Sequence, residues 1–296
     1  MRSRAAEWVG GIARIVAWAG LTVALAIVFV QLLSLLPFRA EHGQLAGYIG
    51  MTLAALAAGA ILVRGADGRS PVAIGIAVSR HTPREVGVGV VIGAAGLAVA
   101  AIALLISGSL RYGPQAGTAT GWVATVSVQA GLFAVYALFE EALFRGYAFQ
   151  VLVRVGGAVF AIVLSSLLFA LAHGRNPSMG TFAMINIFLA GTLLAVAYLR
   201  TLSLWFATAV HLGWNWAMAT LFDLPVSGLT TFDTPLYQPS VGGPGWWSGG
   251  AFGPEGGLVG TIGFGVALLM ILRWKAVRPD PAVIAARPLV LTEEEP

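Results

Sequence analysis

Along most of this chain apolar residues run on without the alternation of a half-buried strand or the charged face of a surface helix. Runs of this kind lie near 12–36, 46–63, 86–108, 126–153, 157–173, 181–199, 202–222 and 257–274. Most approach the ~20 residues that a helix needs to cross hydrocarbon at about 1.5 Å per residue. The pattern predicts an all-α, polytopic membrane protein of about eight transmembrane helices. The first run, Ile15 to Leu36, outlasts the ~7–15 apolar residues of a cleaved signal peptide. The fifth is short, and the fourth is long and carries charged residues. Between the last two runs, 223–256 is rich in Gly and Pro, with Trp246–Trp247 and Asp223, Asp233 and Glu255 but no base. It reads as an external loop. From Pro279 the chain is Pro-rich and ends in Glu293–Glu295, which predicts a disordered cytoplasmic tail, 279–296, after a membrane domain, 1–278.

Composition sharpens this picture. Hydrophobic residues make up 58% of the 296 and charged residues 10%, against the ~25% charged of a soluble domain. Too little charge is present to cover a water-facing surface, so the net +4 is not a nucleic-acid signal. With the N-terminus inside, thirteen basic residues fall on one side of the spans and three (Arg39, Arg111 and Arg175) on the other, Arg145 lying within a span. That bias puts both termini in the cytoplasm of a cell inner (plasma) membrane. Absence of Cys excludes disulfides, thiolate nucleophiles and sulfur ligation of metals. No internal repeat suggests two transporter halves.

Ionisable residues inside spans cost about 2.5–3.5 kcal/mol or more each, so each is a functional candidate. The fourth run contains LFEEALFRGY, with Glu140, Glu141 and Arg145. Glu141 and Arg145 are four apart and can pair on one helical face. Glu140 sits about 100° around the helix and stays available as a general base. His173 follows Phe169 by four residues in FALAHG, and Asn215 follows His211 by four in HLGWNW. His211 could hold a metal or a water, and Asn215 could donate to a developing oxyanion. Taken singly, these features have ordinary structural readings. A Glu–Arg pair clasps helices, a lone His in a span is a satisfied polar contact, and Asn215, like Asn186 and Gln129, can tie helices together. Two acids and two separated histidines together suffice for hydrolysis by an activated water.

Glu140-Glu141-x-x-x-Arg145, Phe169-x-x-x-His173 and His211-x-x-x-Asn215, in that order, resemble the EExxxR, FxxxH and HxxxN motifs of the CPBP family, the type II CAAX prenyl endopeptidases and their Abi-like relatives. The resemblance implies an eight-helix intramembrane protease in which Glu140 and His173 activate a water. It implies that His211 and Asn215 hold the substrate carbonyl or oxyanion, and that Arg145 fixes the helix through Glu141. Two readings of the cofactor stay open. Glu140, His173 and His211 could ligate a zinc ion, or a glutamate could activate water without metal; the HExxH arrangement is absent. Expected partners are membrane lipid and a membrane-associated, prenylated or amphiphilic peptide substrate, and no nucleic acid. The alternatives are a non-enzymatic scaffold or bacteriocin-immunity protein and a proton-coupled transporter. Measured from the expected inner span ends, Glu140, His173 and His211 lie roughly 20, 24 and 14 Å deep, a spread that the fold must absorb.

Overall fold

Helix starts in this chain are marked by small polar caps and early prolines. In the computed structural model, which describes residues 3–35 and 43–291, α1 (Arg4–Ser34) begins where Ser3 accepts from the Ala6 amide. Thr118 caps α4 (Ala119–Phe144) in the same way, by accepting from Gly121. α3 (Thr82–Ile106) carries Pro in its first turn, where no amide hydrogen is needed. The remaining helices are α2 (Gly43–Gly65), α5 (Tyr147–Ala172), α6 (Thr181–Thr201), α7 (Leu204–Trp216), the single turn α8 (Gly245–Ser248), α9 (Leu258–Arg273) and α10 (Pro281–Ala285). Two short strands, β1 (Leu110–Pro114) and β2 (Tyr237–Val241), pair antiparallel with Leu110 opposite Val241.

Five apolar helical stretches among the described residues are long enough to cross a membrane: α1, α2, α3, a 54-residue stretch holding α4 and α5, and α6. The protein is therefore a mostly helical membrane protein, and eight full spans are not confirmed among the described residues. The expected seventh and eighth spans are α7, of 13 residues with a wide turn over Ala217–Leu221 behind it, and α9, of 16 residues. At about 1.5 Å per residue neither helix alone matches a ~30 Å hydrocarbon layer.

The expected boundary between the fourth and fifth spans also moves. The run 126–153 is not one helix: α4 ends at Phe144, and Arg145 leaves helical geometry at φ −127°. Gly146 follows because a Cβ there would strike the carbonyl of Ala142. A second break falls at Gly157 (φ 82°, ψ 166°), in the left-handed region that glycine enters freely. Residues 147–156 thus form a short arm, and only the second part of α5 runs back beside α4. The hydrogen bond from Ser165 to the Phe144 carbonyl, 2.9 Å, sets that register.

Small residues hold the interior helices close. A Cβ at Gly93 of α3 would collide with the Val210 carbonyl of α7, and one at Gly213 with the Val90 carbonyl. Trp214 of α7 stacks on Phe264 of α9 with centroids 4.2 Å apart. α1, by contrast, buries only Gly11, Trp18 and Thr22 and presents Val9, Val16, Val23 and Ile27 outward, as a lipid-facing helix does.

One end of the bundle is charged and tied together. The buried Asp67 carboxylate receives Arg14 (3.2 Å), Arg154 (3.0 Å) and the Tyr147 hydroxyl (2.8 Å), joining α1, α2 and the arm. The described part of the expected disordered tail, 279–291, lies at this end and is folded. Asp280 caps α10 and meets His81 at 2.8 Å. The Leu289 amide donates to Gln150 at 2.7 Å, and Arg69 donates to the carbonyls of Arg287 and Pro288. These backbone and side-chain partners are distant in sequence, which is why composition alone suggested a loose tail. The Glu293–Glu295 run, with Arg39 and His42, lies outside the described residues.

Candidate active site

The last turns of α4 bring Glu140 and Glu141, the C-cap of α5 brings His173, and the middle of α7 brings His211 and Asn215. Because α4 stops at Phe144, Glu140 is only four residues, about 6 Å, from its end. The breaks at 145–146 and Gly157 then let His173 reach the same level, which absorbs the spread in depth that the sequence implied.

Glu141 is fully buried. Its Oε1 accepts from Arg145 Nη1 at 3.1 Å and from His211 Nδ1 at 3.0 Å. Arg145, equally buried, also donates to the Gly191 carbonyl on α6 at 2.9 Å, and its guanidinium lies 4.7 Å from the centroid of the Phe169 ring. Phe169 therefore does more than space a motif. Its ring covers Arg145, and its carbonyl oxygen accepts from His173 Nδ1 at 2.8 Å.

A carbonyl can only accept, so His173 carries its proton on Nδ1 and leaves Nε2 bare when neutral. His211 turns the same way, with Nδ1 spent on Glu141. Both Nε2 atoms lie 3.8 Å from Glu140 Oε2. The structure thus brings Glu140, His173 and His211 around one point, with Glu141 and Arg145 behind them. Asn215, half-buried, lines the cavity beside them and also the small void behind His211.

That cavity holds about 920 Å³ and is lined by Tyr48, Phe133, Tyr136, Phe139 and Phe144 together with Glu140 and His173. Behind His173 and His211 a separate void of about 30 Å³ has room for about one water. One wall of the void is Glu255, which the sequence had placed in the external loop. Only 3% exposed, Glu255 accepts from Trp214 Nε1 (3.0 Å), from the Ser227 amide (2.9 Å) and from the Ser227 hydroxyl (2.6 Å). Its own carbonyl and that of Gly257 accept from Asn186 at 2.8 Å. Burial pushes its carboxyl above the ordinary range, while Ser227, the nearby histidines and Trp214 oppose that shift. The sequence held one usable sign: an acid set directly before the apolar run of α9.

Residues 118–217, from the cap of α4 to just past the end of α7, match the family described as Type II CAAX prenyl endopeptidase Rce1-like. Over that stretch the chain is similar to this family. The match covers about a third of the chain and contains all three motifs and every residue proposed from the sequence for the site. No curated protein and no solved structure matches the chain. The family match and the apolar helices point to a membrane protein and support a CAAX-type intramembrane endopeptidase in general.

Proposed function

We propose that this protein hydrolyses a peptide bond of a membrane-associated, amphiphilic or prenylated substrate with a water activated by Glu140 and His173. The observation that carries this is the position of Glu140 Oε2, 3.8 Å from both bare imidazole nitrogens. That gap is wide for a direct hydrogen bond and suits a water between the groups. Glu140 would take a proton from the water as its oxygen attacks the substrate carbonyl carbon. Asn215 Nδ2 would donate to the resulting oxyanion, with His211 beside it. As the C–N bond breaks, the proton held by Glu140 would pass to the leaving amine. Glu141 and Arg145 stay out of the proton path. They hold His211 in the tautomer that leaves Nε2 free.

A zinc ion held by Glu140, His173 and His211 would draw on the same atoms. Among the described residues, however, no group of three or more His, Asp or Glu side chains is spaced to hold an ion, so no step is routed through one. The scaffold and transporter alternatives draw no support. The polar groups surround a large cavity, whereas a scaffold calls for dry packing and a transporter for a polar chain reaching both ends.

The deciding experiment is cleavage of a membrane-embedded or prenylated reporter in reconstituted vesicles, wild type against Glu140→Ala. Site-specific cleavage by wild type alone is expected. Equal cleavage by both would remove Glu140 from the mechanism.

A further inference from the structure

Beyond α9 the chain turns sharply. The Val277 amide donates to the Trp274 carbonyl at 3.0 Å, and the Val277 side chain is buried in the core. Lys275 and Arg278 are left exposed on either side of it. Between this turn and the first turns of α3 lies a pocket of about 450 Å³, separate from the candidate active site. From α3 it takes Arg84 and Glu85, from the connection Lys275, Arg278 and Asp280, and from the end of α6 Thr201. All its lining residues are described, and none adjoins an undescribed stretch in sequence.

The charges of this pocket do not balance from within. Arg14 and Arg154, elsewhere in the fold, share the Asp67 carboxylate. Arg84, Lys275 and Arg278 make no ion pair and no side-chain hydrogen bond among the described residues. Of the two acids present, Asp280 is already taken. Its carboxylate meets His81 Nδ1 at 2.8 Å and accepts from the Ser79 hydroxyl at 2.9 Å and the Ala282 amide at 2.8 Å. Half-buried Glu85 is then one acid against three cations. Like charges brought to one pocket repel each other, and an anion seated among them turns that repulsion into attraction.

The surroundings say which anion fits. Trp274, exposed at the end of α9 and directly before Lys275, has the position of an interfacial ring. In the last turns of α9, Leu269 and Leu272 are exposed as well, an apolar surface suited to acyl chains. A free phosphate would use only the basic groups, whereas a phospholipid would use both surfaces. Basic pockets between spanning helices take such headgroups. We propose that this pocket binds the phosphate of an anionic phospholipid headgroup, with the acyl chains along α9 at Leu269 and Leu272. Such binding would hold whether or not the chain cleaves peptides.

The test is thermal melting of the full chain in a non-ionic detergent, titrated with short-chain phosphatidylglycerol, short-chain phosphatidylcholine or inorganic phosphate. Phosphatidylglycerol should raise the melting temperature saturably, and the other two should not. Arg84→Gln, Lys275→Gln and Arg278→Gln combined should leave melting without lipid unchanged, since these side chains have no partner among the described residues. The combined variant should weaken the phosphatidylglycerol response about tenfold or more. Arg64→Gln removes an exposed cation in the last turn of α2, outside the pocket, and should respond as wild type does. Should the combined variant fail to fold, Lys275→Gln alone decides. A response weakened about threefold or more supports the site, and a wild-type response overturns it. Equal stabilisation by inorganic phosphate overturns the lipid as occupant. An equal loss in Arg64→Gln overturns the site in favour of diffuse attraction between charges, and no saturable response to phosphatidylglycerol overturns the proposal outright.

Discussion

Glu141 and His211 lie 70 residues apart in the chain and share a buried hydrogen bond of 3.0 Å. It joins the end of α4 to the middle of α7 and fixes which imidazole nitrogen faces Glu140. The same carboxylate oxygen binds Arg145, so one acid neutralises a cation and orients a histidine. Taking Glu141 for the pair leaves Glu140 as the carboxylate that faces open space.

Arg145→Ala should be severely destabilising. It strands Glu141 without its cation in a dry interior and frees the Gly191 carbonyl, a loss of about 3–5 kcal/mol for a broken buried pair. Folded yield in detergent and thermal melting check this. A variant that melts with wild type would show that the pair does not hold the helices. Arg145→Lys should rescue poorly, because a single ammonium lacks the fork that reaches both Glu141 and Gly191.

Glu140→Gln keeps the shape of the site and removes the proposed base. Turnover should fall by about 10²–10⁴-fold, the usual contribution of general base catalysis, with melting unchanged. His173→Ala should lose activity on a similar scale, while His211→Ala should lose activity and also some stability, since Glu141 loses a donor. Full activity in either histidine variant would dismiss that residue from the mechanism.

Glu255→Gln tests the anchor that the sequence did not reveal. Both carboxyl oxygens of Glu255 accept hydrogen bonds, and Gln replaces one of them with an NH2 donor; one accepted bond, worth about 0.5–1.5 kcal/mol, is lost, so Ser227 at the cavity wall should be held less firmly. The expected result is a raised KM with kcat reduced less. A variant losing kcat alone would point instead to a direct part in the chemistry.

Gly93→Ala puts a methyl group against the backbone of Val210, the residue next to His211, where neither helix can yield without moving the site. A loss of about 1–3 kcal/mol is expected from such overpacking, together with lower activity. Gly87→Ala, on the same helix with open space around its Cβ, is the control and should be close to neutral. Equal melting of the two variants would mean that α3 and α7 are not closely packed.

Burial, with Asp233 close by, raises the Asp223 carboxyl to about 6. The folded chain therefore holds this proton more tightly than the unfolded chain does. The resulting stabilisation is full below about pH 4 and is lost as pH rises through about 6. Asp223 accepts from the Thr234 amide, so hydrogen exchange in the loop after α7 should quicken across that window. Asp223→Asn should flatten the dependence; an unchanged profile in that variant would assign the effect to another group.

Most of the candidate site was legible in the chain because its grouping obeys local rules. Pairs four residues apart share a helical face, which linked Glu141 with Arg145 and Phe169 with His173. Uncompensated charge in an apolar run is costly, which singled out Glu140, Glu141, His173 and His211. Apolar run length alone was enough to establish a helical membrane protein.

The tertiary structure decided what depends on neighbours distant in sequence. The fourth span breaks at Arg145–Gly146 because Arg145 turns to Gly191, 46 residues on, and no local propensity encodes that partner. The expected tail is pinned through Gln150 and His81, and Glu255 is drawn inward by Ser227 and Trp214. Hydropathy reports how readily a residue leaves water. Which polar group meets it there depends on how the helices cross, and only the packed chain determines that.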